Sequence, residues 1–564
     1  MLKEDWIRLF YDLMGLKVTN MEWWYLVITE EFRKTSKVMG SYLSYEQIFP
    51  YKPSFQEVIE DIQKIEIEKA LTIISKFSLY DEELRKNQVQ QLKEYFLYME
   101  DIKSIDSIYL FDFINLNYAI KMYLAFGTKN PNSRFENKFS DTYNVLLTVL
   151  KITSLINDKV DTDEGLQNTL LKTWLANRTE DITRVVSRQH EIYEKIFIDF
   201  DQNDPEYIDI YNLFEEFYGY SIKDYISVLF PIHARLKATE KEVLLSNNLV
   251  GILESYYEST SMKGKYKKVL DDLTVNVDEL RGWALSNIDN FYDAEGLISK
   301  PFFYYNNHYV LFSLPFLEAA MFDGLWFKLL NCCKRRNRDF PSFYGRLFEK
   351  YVNNILENSV KKHSKLPYEF IKEFKFGHDN LDSSDAYVKI GKSLLIVEAK
   401  GGKIRRETKV NADEKSTNED FKKYAINPIL QANEAYEKII KDKPGYFGDI
   451  NKIYIISVFT QRFPKVPFYE NKFKEELGKL NSKVKFCDYI SLSDLEVLCS
   501  HIENQKKTIF NFMDQRNNYY KFLSLEHFYG ITYGLITRSK LATSNFRESS
   551  DSIILHLKIN NNIK

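Results

Sequence analysis

Cysteine is scarce in this chain and follows no metal-binding pattern. Only four cysteines occur among 564 residues. None forms a CxxC pair, and no histidine lies at zinc-ligand spacing from them. The adjacent pair Cys332–Cys333 is therefore predicted to be reduced and buried in a core, as in a cytoplasmic protein, and a zinc site is not favoured.

The sequence also lacks a hydrophobic run long enough for a membrane span. Its most apolar stretch, residues 309–330, is interrupted by Glu318, Asp323 and Lys328. The first six residues mix charged and apolar side chains and lead into no apolar segment, so no signal peptide is predicted. We therefore expect a cytoplasmic protein with no membrane partner.

Positive charge is not in excess, and several catalytic signatures are missing. The net charge is −3 and the isoelectric point is near 6.3, so contact with nucleic acid would have to come from local patches. HExxH, GxSxG and GxGxxG patterns do not occur. Gly391-Lys392-Ser393 resembles the end of a P-loop, but Ala386 stands where the first glycine is required, which excludes an NTPase site.

Length and composition predict several folded units. The chain is 44% hydrophobic, which is enough for about three or four units with their own cores. Residues 1–295 are predicted to be a large all-α region, because helix-like segments follow one another and capping boxes occur at Ser54–Glu57 and Thr239–Glu242. No fixed-period repeat is present, so a solenoid is not favoured.

Three further segments follow the helical region. Residues 296–340 are predicted to form a connector, made of a β-hairpin that turns at Asn306–Asn307 and a helix over about 315–330. Residues 341–500 alternate helix and strand. Residues 501–564 form an appendage that is predicted to end in a strand at 552–558. The predicted fold is therefore multidomain, with an all-α region before an α/β core.

One short stretch of the α/β core brings acidic residues together. Two β-rich runs flank Gly391–Lys392, which is predicted to be a two-residue hairpin turn. With that turn, Ile390 faces Ser393. Counting outward then places Asp385 opposite Glu398, with Cβ atoms about 5 Å apart.

A lysine joins the two carboxylates. Lys400 lies two residues beyond Glu398, so the pleat puts both on one face. Two carboxylates bind Mg²⁺ through hard oxygen ligands, and an ammonium orients the attacking water or stabilises the phosphorus centre. The group therefore predicts metal-dependent hydrolysis of a phosphodiester. Asp382 is an alternative to Asp385, but it fits the hairpin register less well.

An Asp, an apolar hairpin and then Glu-x-Lys, as at Asp385, Glu398 and Lys400, resembles the PD-(D/E)xK nuclease superfamily, also called the restriction-endonuclease-like fold. The resemblance covers roughly residues 341–500. It implies a mixed sheet flanked by helices, Mg²⁺ as cofactor with Mn²⁺ as a substitute, and DNA as the usual substrate. Ser384 departs from the pattern, in which proline often precedes the aspartate.

The resemblance extends to two helices. The first helix of that family often carries an acidic residue, and here a helix over 344–356 would place Glu349 as a further metal ligand. The alternative is a surface glutamate paired with a neighbour. Many members place a glutamine on the helix after the motif. Asn427 is predicted to cap that helix, and Gln431 would orient the catalytic lysine or the backbone phosphate.

Two basic clusters are predicted to contact nucleic acid. One lies in the loop that leaves the candidate site, and the other follows the predicted connector helix. A solvated surface loop is the alternative interpretation for both. The residues are Lys403, Arg405, Arg406 and Lys409 in the first cluster and Arg335 and Arg336 in the second.

These observations favour a DNA endonuclease whose activity is conditional. A negative net charge and a large helical region suggest control of the nuclease, as in the restriction and anti-phage defence nucleases that it resembles. We expect a homo-oligomer, and a partner protein such as an ATPase is an open alternative. The competing hypotheses are a nuclease for RNA or a special structure, and a scaffold with a vestigial site.

Overall fold

The described residues form two compact units. A computed structural model of the chain describes residues 41–42, 44–49, 51–95, 108–111, 113–129, 139–157, 163–176, 181–534 and 536–557. The sheet unit comprises 181–208 and 338–550, and the helical unit comprises the other described residues. Both units are discontinuous in sequence, whereas the predicted division is linear, with boundaries at 295, 340 and 500. Residues 1–6, where the absence of a signal peptide is predicted, lie outside the described residues.

The N-terminal region is helical, as predicted, but it is not all-α, because the helical unit also contains short strands. Its strands are short: Ser41–Tyr42 pairs with Ile108–Tyr109, and His308–Leu311 lies between Ile252–Leu253 and Phe302–Tyr305. Its helices are Phe55–Gln63, Ile67–Leu79, Glu82–Tyr95, Phe113–Phe126, Phe139–Asn157, Asp163–Ala176, Ile210–Tyr218, Ile222–Lys237, Lys241–Leu245, Tyr266–Asp272, Val277–Ser286, Glu295–Ser299, Leu314–Ala319 and Leu325–Arg335, the last two joined by a π-helical turn at Ala320–Gly324. No helix in the described part of the chain combines the length and apolarity needed to cross a membrane.

Two of the local predictions in this unit are confirmed and one is wrong. The hairpin turns at Asn306 and Asn307, whose φ angles are 48° and 59°. The capping box at Ser54–Glu57 is present. Thr239 caps no helix start, because the next helix begins at Lys241 and the Thr239 hydroxyl donates to a carbonyl at the end of the preceding helix, 3.4 Å away.

The sheet unit is built on a five-stranded mixed sheet. Its strands are β1 (Glu369–Lys372), β2 (Ala386–Ile390), β3 (Ser393–Lys400), β4 (Lys452–Phe459) and β5 (Val484–Ser491), in the order β5-β4-β3-β2-β1. Strand β2 pairs antiparallel with both β1 and β3, whereas β3, β4 and β5 run parallel to one another. The predicted hairpin is confirmed: Ile390 pairs with Ser393, and Gly391 takes the positive φ of 56° that the turn requires.

Three helices of the sheet unit matter for the site. They are α1 (Phe340–His363), which packs on β1 and β3, α2 (Asn427–Asp442), which packs on β3 and β4, and α3 (Leu492–Asn504), which packs on α1. The remaining elements are Ile182–Gln189, His190–Ile196, Lys375–Phe376, Leu381–Asp382, Glu407–Asn411, Glu414–Phe421, Lys422–Ile426, Pro467–Leu477, Ile509–Tyr519, Leu525–Tyr533 and Lys540–Leu557, the last of which ends in the helical unit.

Helix α1 buries the predicted apolar face, and α2 departs from the prediction at its start. Leu347, Phe348, Tyr351, Val352, Ile355 and Leu356 are all buried. Asn427 caps nothing, because a π-helical turn at Lys422–Ile426 runs directly into α2. Pro428 is tolerated there since the wider turn precedes it.

The predicted C-terminal strand is a helix. The segment after Ser552 continues the helix Lys540–Leu557. Ile553 and Leu557, four residues apart, are buried, whereas Ile554 and Leu555 are exposed. The apolar residues therefore follow a helical period rather than the alternation of a strand.

A buried charged cluster ties residues 181–208 to the rest of the sheet unit. The Arg188 guanidinium donates to both carboxylate oxygens of Glu496 on α3, at 2.5 and 3.0 Å. Tyr351 on α1 donates to the same carboxylate at 2.9 Å. All three side chains are buried. This segment, which was predicted to belong to the helical region, is thus an internal part of the sheet unit.

Candidate functional site

The two predicted acidic residues meet at one end of the β2–β3 hairpin. The last pair of the ladder joins Ala386 to Val397, so Asp385 and Glu398 occupy the next lateral position. Asp385 Oδ2 accepts a hydrogen bond from the Ala399 N–H at 2.6 Å. This bond holds the Asp385 carboxylate against β3.

Glu398 and Lys400 form the centre of the site. Glu398 is only 2% exposed. Burial, together with repulsion from Asp385, raises the pKa of Glu398 to about 7. Burial also raises the pKa of Asp385. The Lys400 ammonium lies 3.4 Å from Glu398 Oε2, and its side chain is 28% exposed, so it faces both the carboxylate and the solvent.

A close approach of α1 adds a third carboxylate. A Cβ at Gly401, just after β3, would lie 2.9 Å from the Cα of Gly345 and 3.0 Å from the Cβ of Phe348. This packing brings the next turn of α1, with Glu349, to the strand end. Burial, followed by repulsion from Asp385, raises the pKa of Glu349 to about 8.

A fourth carboxylate, that of Glu373, lies beside these groups and is not predicted from the sequence. The last pair between β1 and β2 joins Lys372 to Ala386, so Glu373 occupies the lateral position beside Asp385. Burial and the Asp385 charge raise its pKa. The only signal in the sequence is that Glu373 directly follows a short β-like run. Asp382, the alternative to Asp385 as the acidic residue of the motif, is instead exposed and paired with Lys375.

The donor set suits a hard divalent cation. Among the described residues, no three or more His, Cys, Asp or Glu side chains are already gathered as a metal-ligand set. Asp385 and Glu398 nevertheless supply two carboxylates at adjacent sheet positions, and Glu349 lies within electrostatic reach of Asp385. Burial is the main cause that raises all three pKa values, so keeping these carboxylates ionised without a cation is unfavourable. A bound cation would relieve that cost through oxygen ligands.

Gln431 lies on α2 but does not contact the other site residues. Its side chain is exposed in the first turns of the helix. Within the described part of the chain it forms no hydrogen bond to Lys400 or to either central carboxylate. Its predicted role in orienting Lys400 or a phosphate stays a prediction.

The basic loop after β3 is held in place by local contacts. The Arg405 guanidinium pairs with Glu419 and lies 3.3 Å from Asp420. The Asp420 carboxylate also accepts from the Thr408 hydroxyl at 2.7 Å, and the carbonyl of Lys403 accepts from the Tyr424 hydroxyl at 3.0 Å. Arg405 is therefore largely neutralised. Arg406 is exposed, whereas Lys403 and Lys409 are half-buried.

The second basic cluster belongs to the helical unit. Arg335 lies over the ring of Phe217, with 4.3 Å between the guanidinium carbon and the ring centroid. Arg336 pairs with Glu216. Both arginines are thus engaged within that unit, and their predicted contact with nucleic acid stays a prediction.

Comparison of the chain with protein-family models, with curated proteins and with solved structures finds no match.

Proposed function

We propose that this chain is a metal-dependent nuclease that hydrolyses phosphodiester bonds of DNA. The observation that carries the proposal is the meeting of Asp385, Glu398 and Lys400 at one end of the β2–β3 hairpin. Two carboxylates and one amine at the end of a sheet can hold a divalent cation and stabilise the charge that develops on a phosphodiester during hydrolysis. A structural role alone would favour replacing a buried, uncompensated carboxylate by an apolar side chain.

The order of elements supports a PD-(D/E)xK-like core. An acidic residue on α1, three antiparallel strands, the crossover helix α2 and a strand parallel to β3 follow one another along the chain. This order agrees with the mixed sheet flanked by helices that the Asp and Glu-x-Lys resemblance implies. The proposal of a restriction-endonuclease-like core rests on this order and on the motif.

Each residue has a defined task in the proposed reaction. Asp385 is held by the Ala399 N–H through Oδ2, which leaves Oδ1 for a cation. Glu398 adds a second oxygen ligand. A bound divalent cation would supply an activated water and neutralise charge on the scissile phosphate. The Lys400 ammonium, anchored beside Glu398, orients that water or stabilises the charge on the phosphorus centre.

A cleavage assay across substrates tests the proposal. Purified protein is incubated with supercoiled plasmid, linear duplex DNA, single-stranded DNA and RNA, with Mg²⁺, Mn²⁺ or EDTA. Glu398→Ala and Lys400→Ala are compared with Lys392→Ala, which removes the same charge as Lys400→Ala from the hairpin turn, away from the site. We expect metal-dependent cleavage of DNA that only the first two variants lose. Preferential cleavage of RNA would identify RNA as the substrate. If wild type and variants are equally inert on every substrate, the proposal reduces to a nuclease fold that awaits a trigger or a partner.

A further inference from the structure

An arginine at the edge of the candidate site, Arg346, is paired with an acidic segment, residues 201–206. Arg346 lies on α1, three residues before Glu349, so both lie on neighbouring positions of one helix face. The positive charge of Arg346 lowers the pKa values of Glu349 and Glu373. It partly offsets burial and repulsion from Asp385, which raise both pKa values. Arg346 is therefore the cation that borders the carboxylates on the α1 side.

Two carboxylates form ion pairs with the Arg346 guanidinium. Arg346 Nη1 lies 3.0 Å from Asp204 Oδ2 and 3.0 Å from Glu206 Oε2. The Arg346 side chain is nevertheless 42% exposed, so solvent or a ligand can reach it. A guanidinium binds the oxygens of a phosphate in the same way as those of a carboxylate, through parallel N–H donors.

The acidic segment has a defined conformation. The backbone N–H of Glu206 donates to Asp204 Oδ1 at 2.9 Å, and that of Asn203 donates to Asp201 Oδ1 at 2.9 Å. Phe200, just before the segment, packs edge-on against Phe343 of α1, with ring centroids 5.2 Å apart. Local turns and one aromatic anchor therefore seat residues 201–206 on the first turns of α1.

We infer that Arg346 is a further phosphate-binding residue of the candidate site, and that Asp204 and Glu206 occupy it in place of a nucleic-acid backbone phosphate. The inference rests on the proposed nuclease function. Because both carboxylates contact Nη1, a phosphate that binds this nitrogen displaces them. The acidic segment thereby weakens binding of every nucleic acid, whatever its sequence, because phosphate contacts carry no base information.

Nucleic-acid binding without a divalent cation tests the inference apart from catalysis. The affinity for a fluorescein-labelled DNA duplex is measured in EDTA by fluorescence anisotropy. We expect Asp204→Asn/Glu206→Gln to tighten binding about 5-fold and Arg346→Ala to weaken it by about the same factor. Asp199→Asn/Asp201→Asn is the matched control, because it removes two charges from the same stretch and keeps both Arg346 pairs. Its effect should stay below about 2-fold.

A triple variant shows whether the gain in affinity comes from release of Arg346 or from a general loss of negative charge. In Arg346→Ala/Asp204→Asn/Glu206→Gln, the gain from removing the carboxylates should disappear, because the guanidinium that they release is gone. A gain that persists in this variant, or one that the control equals, overturns the inference and leaves the nuclease proposal intact. No binding by wild type or by Asp204→Asn/Glu206→Gln contradicts the inference and also the nucleic-acid substrate on which it rests.

Discussion

Gly401 lies so close to Gly345 that a Cβ on Gly401 would come within 2.9 Å of the Gly345 Cα. Through this contact, α1 reaches the end of β3, and Glu349 comes within electrostatic reach of Asp385. The contact is one-sided, since a Cβ built on Gly345 meets no atom within 4 Å outside its own helix. There is therefore room for a Cβ at Gly345 but not at Gly401.

Gly401→Ala is expected to separate α1 from β3. The added methyl meets the Gly345 backbone, so the helix must shift, at a cost of about 1–3 kcal/mol in unfolding free energy and most of the cleavage activity. Gly345→Ala is the matched control and should be neutral or stabilising by up to about 1 kcal/mol, because alanine favours the helix. Urea unfolding and plasmid nicking measure both variants. Equal effects of the two changes would contradict this account of the contact.

Arg188→Ala is expected to destabilise the sheet unit strongly. The substitution leaves the buried Glu496 carboxylate without its main partner, which costs about 3–5 kcal/mol. The control is Arg538→Ala, which breaks a partly exposed pair with Asp181 and should cost about 0–1 kcal/mol. Chemical unfolding followed by far-UV circular dichroism gives both values. A loss for Arg188→Ala no larger than that for Arg538→Ala would show that the segment 181–208 is not integral to this unit.

Glu398 is expected to make the metal-free protein less stable as the pH rises. Its pKa is about 7 in the folded chain and 4.5 ordinarily, so the folded state holds a proton that the unfolded chain releases between these values. Stability therefore falls with rising pH across that range. In EDTA at about pH 8, Glu398→Gln should be more stable than wild type by about 3 kcal/mol, and the gain should vanish near about pH 4.5.

Thermal unfolding in EDTA over this pH range checks the prediction, with Glu369→Gln, an exposed glutamate at the start of β1, as control. Mg²⁺ should stabilise the wild type and not Glu398→Gln. A wild-type stability that rises with pH in parallel with that of Glu398→Gln would show that Glu398 is ionised without cost in the metal-free fold.

Gln431→Ala is expected to lower cleavage without affecting stability. The side chain is exposed on α2, so its removal should change unfolding free energy by less than about 0.5 kcal/mol. If it orients Lys400 or a phosphate once substrate is bound, cleavage should fall about 10- to 100-fold. Lys441→Ala, at the other end of α2, should leave the rate unchanged. Rates for Gln431→Ala that match those of Lys441→Ala would remove Gln431 from the site.

The parts of the fold that were predictable have strong local signals. The β2–β3 hairpin follows from a glycine turn between two apolar runs, and its register fixed the neighbours Asp385 and Glu398. The buried face of α1 follows from helical periodicity. The Asn306–Asn307 turn follows from the tolerance of asparagine for positive φ.

The errors arise where tertiary contacts decide. The strand-like run at 552–557 is helical because only Ile553 and Leu557 find a core. Arg188 lies in the middle of a helical stretch, and its sequence gives no indication that it binds Glu496, 308 residues away. Glu373 and Arg346 border the site only because β1 and α1 are folded against β2 and β3. Single-sequence patterns contain no information on such long-range contacts.

Calorimetric titration of the protein with Mn²⁺ tests the central claim most directly, because it measures whether Asp385 and Glu398 together bind a divalent cation. We expect a saturable heat for wild type that Asp385→Asn and Glu398→Gln each abolish, whereas Glu369→Gln on the exposed end of β1 retains it. A wild-type heat that persists in both Asp385→Asn and Glu398→Gln, or no heat for wild type with or without DNA, would contradict the metal site at the end of this hairpin.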